Sequence, residues 1–562
     1  MNTQTALLWD THEMESRKSR IGGVRMPVAP TQATLDEFFR ANKHHVIECL
    51  GYGLFLATNA TVIWGGVFPF LPEAMQEPRF ATAFFVAQSL AFAVTFFTTA
   101  LGVYLTPRYQ WNHTVRASAL ACFLGWTFLF SAIYLPHAIM ALGCLGGAFI
   151  GFGAAGFNVV WQRVFASEKA DAGNRNLIIG TIVAPVIYFA LYLIPVAVTS
   201  FLIPLVFMPV YTLCIVLSGR DVDQNQPMLS DCPKEHPAAS KQLLKDYWRS
   251  AVCIGSLAFS CGIIRSFALN QAGTALIVNN VSMLALLTGA AAVLFLWQSR
   301  PLRISITMFF RAFFPFSITA FLLLPLLGDR MIVELSGALY ALYVCSNVLV
   351  MAQCAQAAHD RGINPTFVFG GFAGIVYLLH DIGFLVGMGT GDMRLFGMDP
   401  YATISFVALY LLSLMFFVVQ GGFKSALSPS RIQADKIELM LTGATQTRNR
   451  ASAGIAFDSV DERTREDSPY LDRVSKQCIL LSRQYKLSAR EAEVTEALAR
   501  GDTIPGIAKA LGLSENTVRT HIKRIYAKVD VHKKQELLDL VRSFDPAALV
   551  DNEPSRQRGM RS

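Results

Sequence analysis

Charged side chains are scarce in this sequence: Asp, Glu, Lys and Arg make up 16% of its 562 residues, against 53% apolar ones. A soluble protein of this length needs more polar surface, so an ordinary soluble multidomain chain is excluded and a membrane protein is the class to test. The scarcity is also uneven. Long stretches between Gly51 and Phe423 carry almost no charge, while the segments on either side are rich in both signs, so the chain has at least two physically different parts. There are ten cysteines but no CxxC pair, and most lie in apolar runs, which argues against a disulfide framework or a zinc site. No P-loop, metal-ligand cluster or kinase signature is present, so the reading is of a non-enzyme with no catalytic residue, no metal and no cofactor. The polar N-terminal tail, with Arg17, Lys18, Arg20 and Arg25, has no short apolar region followed by a small-residue cleavage site. No cleavable signal peptide is read.

What is present is a series of apolar runs. A spanning helix needs about 20 mostly apolar residues, because backbone amides in lipid are satisfied only within the helix. About twelve such runs occur, from Glu48 to Phe70 through to Thr403 to Phe423, with the seventh at Ala251 to Asn270. If the N-terminus is cytoplasmic, the inside segments collect Arg108, Arg116, Arg163, Lys169, Arg175, Arg220, Lys234, Lys241, Lys245, Arg249, Arg300, Arg303 and Arg361. The outside segments collect Arg79, Arg265, Arg330 and Arg394. Basic residues favour the inside, which predicts cytoplasmic N- and C-termini in a multi-pass membrane protein. In the fourth run Gly143, Gly147, Gly151 and Ala155 recur every four residues, a smooth stripe on which another helix can pack closely, within the domain or across a dimer.

Ionisable residues at membrane depth are costly and normally face a cavity or one another. Arg265, Arg311, Glu334, His380 and Asp381 are the candidates. They read either as the lining of a cavity for a small effector, anionic if Arg265 or Arg311 engages it, or as internal ion pairs and snorkelling groups. Asn158, Trp161, Asn279, Asn280 and Asn347 line the same cavity or serve as hydrogen bonds between helices. The polar loop Gly219 to Arg249 divides the runs six and six, an arrangement that resembles the major facilitator superfamily in topology alone. That family usually carries a Gly-x-x-x-Asp-Arg-type motif between its second and third spans, where this chain has Leu105-Thr-Pro-Arg-Tyr-Gln-Trp-Asn-His113.

After Phe423 the composition turns polar for some 60 residues, a linker with an r.m.s. reach of ~40 Å if flexible. Within it Ile432 to Leu441 has the pattern of a short helix at the membrane surface. From Leu487 to Val541 four short helices are punctuated in the sequence itself. Ser488 and Glu491 form a capping box, with Val494, Ala497 and Leu498 facing inward and Gly501 as the stop. Thr503 and Pro505 open the second helix, which buries Ile507, Ala508 and Leu511; Gly512 turns the chain and Leu513 plugs the turn. Ser514 caps the third helix, whose Val518, Ile522 and Ile525 face the core, and a fourth from about Lys534 to Arg542 buries Leu537 and Val541.

The run Leu487-Ser-Ala-Arg-Glu491, Gly501, Ile507-Ala508, Leu511-Gly-Leu-Ser514, Asn516-Thr-Val518, His521, Ile525-Tyr526 and Lys528 resembles the LuxR-type helix-turn-helix domain. Pro505-Gly506 departs from the polar pair usual before Ile-Ala. The third helix is the one such a fold places in the major groove. Its Arg519 and Lys523 share an outward face with Thr520 between them, and Arg524 and Lys528 extend a basic flank toward phosphates. The resemblance implies that Arg519, Thr520 and Lys523 read bases, that Thr517 and His521 meet the backbone or brace the helix, and that Ser514 and Asn516 belong to the same DNA face. It also implies pairing through the fourth helix, hence a homodimer on double-stranded DNA.

The expected fold is therefore all-α: a polytopic membrane bundle of about twelve spans, six and six, then a four-helix LuxR-type domain. The expected boundaries are a cytoplasmic tail 1–46, a membrane sensor domain 47–423, a linker 424–484, the DNA-binding domain 485–545 and a disordered tail 546–562. The expected function is a one-component transcription regulator with the bilayer, DNA and an unknown small-molecule effector as partners. The alternative is a secondary transporter with a regulatory DNA-binding tail.

Overall fold

The computed structural model describes residues 32–61, 75, 77–106, 111–168, 170–222, 226–268, 274–299, 302–327, 332–390, 400–419, 436–439, 471, 473–500 and 502–544. Two compact units are present, Met1–Val46 and Ile47–Ser562. In the first, residues 32–46 are helical. The second holds both the membrane bundle and the C-terminal helices.

The bundle begins with α1 (Gln32–Asn59), α2 (Pro78–Leu105), α3 (Trp111–Tyr134), α4 (Ile139–Ser167) and α5 (Ala170–Ala190). The sixth apolar run is α6 (Val196–Leu202) and α7 (Met208–Asp221), joined through the π-helical turn Ile203–Phe207. After a short helix α8 (Pro227–Ser230) come α9 (Pro237–Ala268), α10 (Thr274–Ser299), α11 (Ile306–Leu327), α12 (Ile332–Arg361), α13 (Pro365–Thr390) and α14 (Pro400–Val419). Helix covers most of the described part of each of the twelve apolar runs, although the ninth opens in the strand Leu302–Ser305. Among the described residues, ten helical stretches are long and apolar enough to cross a membrane, and Tyr401–Phe417 is a shorter apolar helix. Part of the first run, 62–70, lies outside the described residues.

The bundle turns large apolar side chains outward, as a protein solvated by lipid must. Leu193, Leu326, Phe295 and Met308 are all exposed. Its interior is drawn together by small residues. The glycine stripe of α4 lies on α2: a Cβ at Gly147 would stand 2.6 Å from the Phe84 carbonyl oxygen, and one at Gly151 2.4 Å from that of Gln88. The stripe is thus a packing surface within the domain. The same device joins α9 to α13, where a Cβ at Gly262 would meet the His380 carbonyl oxygen at 2.1 Å and one at Gly383 that of Phe259 at 2.2 Å. This close crossing sets Arg265 beside the segment carrying His380 and Asp381.

Three features depart from the sequence reading. The seventh helix starts at Pro237, well before the apolar run at Ala251, so much of the long polar loop is helix. It is also organised: Asp231 accepts from the Asn364 backbone amide at 3.2 Å, and the Asn364 side chain donates to the Leu229 carbonyl at 3.3 Å. The fold is not purely helical, because β1 (Leu302–Ser305) pairs antiparallel with β2 (Lys436–Leu439), Leu302 opposite Leu439. The segment around Ile432 to Leu441 is therefore strand rather than helix where it is described. Its Lys-Ile-Glu-Leu alternation puts Ile437 and Leu439 on one buried face, a period-two pattern that overrides a single helical turn. Finally, α15 (Arg473–Gln484) occupies the end of the segment read as linker.

Overpacking at the helix crossing should be measurable. Gly151→Ala is expected to destabilise the bundle by about 1–3 kcal/mol, lowering the melting temperature in detergent. Gly102→Ala, where no atom lies within 4 Å of the added Cβ, is the matched control and should leave it unchanged.

Candidate functional site

The C-terminal body, termed the reader below, consists of α15, α16 (Ala489–Ala499), α17 (Ile504–Leu511), α18 (Glu515–Val529) and α19 (Lys534–Arg542). Local chemistry sets each boundary. Ser488 and Glu491 make the reciprocal capping box, and the Thr503 side chain accepts from the Gly506 amide at the start of α17. Gly512 takes the left-handed conformation, φ 65°, that ends α17 without the penalty a Cβ would bring. Ser514 then accepts from the Thr517 amide at 3.1 Å and opens α18.

A separate apolar core holds these helices together: Val494, Leu498, Ile507, Ala508, Val518, Ile525, Leu537 and Val541 are buried, with Ala497, Leu511, Leu513 and Ile522 packed against them. Cys478 and Leu481 of α15 complete the same core. The Gln477 side chain donates to the Phe544 carbonyl at 3.0 Å, so α15 is part of the reader.

With Val518, Ile525 and Val529 turned inward, α18 presents Asn516, Thr517, Arg519, Thr520, Lys523 and Arg524 to solvent, together with Ser514 at its cap. Arg519 meets Glu515 at 3.4 Å, an exposed i, i+4 pair that is weak in water and easily exchanged for another anion. Thr520 Oγ1 donates to the Asn516 carbonyl at 2.9 Å. His521 is half-buried, and its Nδ1 has no hydrogen-bond partner. Lys528 is employed inside the reader: its Nζ lies 2.7 Å from Glu491 Oε2 and 3.3 Å from the Lys486 carbonyl oxygen. Its ammonium ties the end of α18 to the start of α16, a role the sequence spacing did not reveal.

Burial alone would raise the Glu491 pKa. The hydrogen bonds from Lys528 and Ser488 outweigh it and hold the carboxyl below its ordinary value of 4.5. A carboxylate favoured in the folded state adds stability above about pH 4.5, and that contribution is lost as pH falls through the lowered folded value. Glu491→Gln keeps a capping side chain but loses the charge. It should cost about 1–2 kcal/mol near neutrality and flatten the acid limb of the reader's unfolding curve below pH 4.5. An unchanged limb would show that the Glu491 carboxylate does not stabilise the reader.

In the bundle, Arg265, His380 and Asp381 come together and Arg311 and Glu334 do not; the last two are exposed. The Arg265 guanidinium lies 3.7 Å from the ring centre of Phe85 and 5.9 Å from that of Tyr340. His380 packs between Phe85 and Tyr343, each 5.7 Å from its ring centre. Its Nδ1 is 3.6 Å from Asp381 Oδ1, too long for a hydrogen bond, and that oxygen accepts from the Ser89 hydroxyl. The aromatic cage of Phe85, Tyr340 and Tyr343 was not read from the sequence, although Tyr340, Tyr343 and Asn347 share a helical face.

Deeper along α12 and α13 a small cavity, about 50 Å³, is lined from both halves of the bundle by Tyr52, Phe96, Asn158, Asn347, Met351 and Tyr377 among others. No charged side chain is among its lining residues. Of the five polar candidates, Asn158 and Asn347 face this cavity. Asn279 instead donates to the Ala60 carbonyl and the Tyr188 hydroxyl, both at 2.8 Å, and Asn280 accepts from Tyr188 at 2.7 Å. Trp161 is fully buried and stacks on Phe165.

Residues 485–541 match the family model of the bacterial regulatory proteins of the luxR family. The uncharacterized response regulatory protein YgeK of Escherichia coli (strain K12) is 35% identical over 112 residues, 18% of this chain and 74% of that protein. The probable transcriptional regulatory protein NarL of Mycobacterium tuberculosis (strain CDC 1551 / Oshkosh) is 49% identical over 45 residues, 8% of this chain and 21% of NarL. Among solved structures, the Escherichia coli fucose:proton symporter FucP aligns over 67% of this chain and 98% of its own, at 14% identity and a TM-score of 0.45. The multi-pass helical bundle thus carries a helix-turn-helix reader, and through that reader the chain belongs to the luxR family of bacterial regulatory proteins.

Proposed function

We propose that this protein is a one-component transcription regulator of the bacterial cytoplasmic membrane. Its reader binds double-stranded DNA on the cytoplasmic side, and its membrane domain responds to a small molecule. The observation that carries the reading is the exposed face of α18. Arg519, Thr520, Lys523 and Arg524 point away from a closed apolar core, on the helix that a luxR-type reader would lay in the major groove. Ser514, Asn516 and Thr517 stand at the amino end of that helix, where backbone amides favour a phosphate. His521 braces α18 from beneath, and Lys528 supports the fold rather than contacting DNA. Pairing of two readers through α19 would match a two-part operator.

For the sensing step, the cavity between the two halves and the neighbouring Arg265, His380 and Asp381 group are the proposed effector site. The uncharged aromatic and amide lining suits a neutral, partly apolar molecule, and Arg265 of the neighbouring group is the proposed contact for an anionic one. At about 50 Å³ the cavity would have to widen to admit such a ligand. A cavity lined from both halves equally favours a second reading, a transporter with a regulatory tail. Uptake of candidate solutes into proteoliposomes distinguishes the two.

The DNA assignment is tested on the full-length protein in detergent, against an operator selected from random sequence. Arg519→Ala or Lys523→Ala should weaken specific binding by about 1–3 kcal/mol, five- to over a hundredfold, and leave binding to unrelated DNA nearly unchanged. Specificity undiminished in both variants would refute the base-reading role of α18.

A further inference from the structure

A polar segment of some 60 residues between bundle and reader suggests a slack tether, yet the reader is held directly against one end of a membrane helix. Helix α12 ends at Arg361, and Gly362 takes the left-handed conformation beyond it, φ 66°. The last four carbonyls of a helix lack partners within it and carry partial negative charge, so a helix end of this kind attracts cations. Two cations of the reader meet it. Lys476 Nζ donates to the Asp360 backbone carbonyl, and Arg473 lies 3.3 Å from the Asp360 carboxylate.

Burial shows that this is a built contact. Lys476 is 1% exposed and Asp360 6%. An ammonium withdrawn from water that far is tolerated only with oxygen partners, because an uncompensated buried charge costs several kcal/mol. A lysine on a helix tumbling at the end of a tether would keep its head in solvent. On the bundle side the same helix end is anchored by Arg361, which pairs with Asp246 of α9 and lies 5.5 Å from the Tyr247 ring centre. On the reader side α15 is locked in place by Cys478 and Leu481 in the core. The Ser475 hydroxyl donates to Glu496 at 2.7 Å, and Arg500 donates to Ser475 at 2.7 Å. The β1–β2 ribbon is a second fastening on the way, and β2 also packs against α12.

We propose that the Asp360 end of α12 is a docking site for the chain's own DNA reader, gripped by Arg473 and Lys476 of α15. The docked reader keeps Arg519 and Lys523 exposed, so docking leaves the DNA face free and fixes where that face is held. The same helix lines the central cavity through Val344, Asn347, Val350 and Met351. A 30-residue helix is a rod about 45 Å long, so a displacement of α12 at the cavity displaces the reader. The docking itself does not depend on the cavity's being an effector site.

The test uses full-length protein in nanodiscs, with a specific protease site inserted between residues 445 and 465. After cleavage the reader is no longer covalently attached, and its retention on the disc is read by size-exclusion chromatography. The wild-type reader should stay with the disc. Asp360→Lys, which leaves the reader's own sequence untouched, should weaken retention about tenfold or more, and so should Lys476→Met. Exchanging the charges, Asp360→Arg with Arg473→Asp, should restore most of it. Prompt release of the wild-type reader would overturn the proposal. Equal retention of the Asp360→Lys protein would overturn it too, by showing that the reader adheres to lipid instead.

Discussion

Close approach of helices inside a low-dielectric medium is the constraint from which the rest of this structure follows. Lipid offers no hydrogen bonds, so the chain crosses it as helices, and apolar side chains alone give those helices no reason to choose one another. Selectivity comes from glycine. Gly147 and Gly151 seat α4 on α2, while Gly262 and Gly383 seat α9 on α13. The second crossing brings Arg265 into reach of Phe85 and Tyr340 and sets His380 beside Tyr343. Charged groups that would be prohibitive on a lipid face are tolerated there because aromatic rings and the Ser89 hydroxyl surround them.

Much of this was legible because single residues carry strong local instructions. The capping box at Ser488 and Glu491, the turn at Gly512 and the cap at Ser514 each fix a boundary within three or four residues, and the i, i+4, i+7 spacing of Val518, Ile522 and Ile525 fixes a face. The glycine stripe announced a packing surface for the same reason. What escaped the sequence reading depends on partners distant in the chain. Ile437 and Leu439 become a strand because Leu302–Ser305 offers an edge, and Lys528 is neutralised by a glutamate 37 positions away. Helix α15 hid in a polar stretch because its apolar residues are few, and its buried Lys476 reads as a surface residue until the end of α12 is beside it. Arg311 and Glu334 illustrate the converse: an ionisable residue near an apolar run signals a cavity only if its helix turns it inward.

The same helix, α12, links the regions that matter. Tyr340 and Tyr343 wall the Arg265 and His380 group, Asn347 and Met351 face the cavity, and Asp360 meets the reader. A ligand shifts a conformational equilibrium only through its differential affinity for the two states. Under the proposed function, a cavity bounded by the helix that also meets the reader would give such a difference a mechanical outlet.

Under the proposed function, bundle and reader act as one uncleaved, membrane-inserted molecule. Chromatin immunoprecipitation of the full-length chain, epitope-tagged at its N-terminus and recovered from the membrane fraction after crosslinking, tests it most directly. Discrete promoter regions should be enriched with the 61.8 kDa chain itself. Enrichment confined to a smaller soluble fragment, or absent from the membrane-inserted chain, would contradict it.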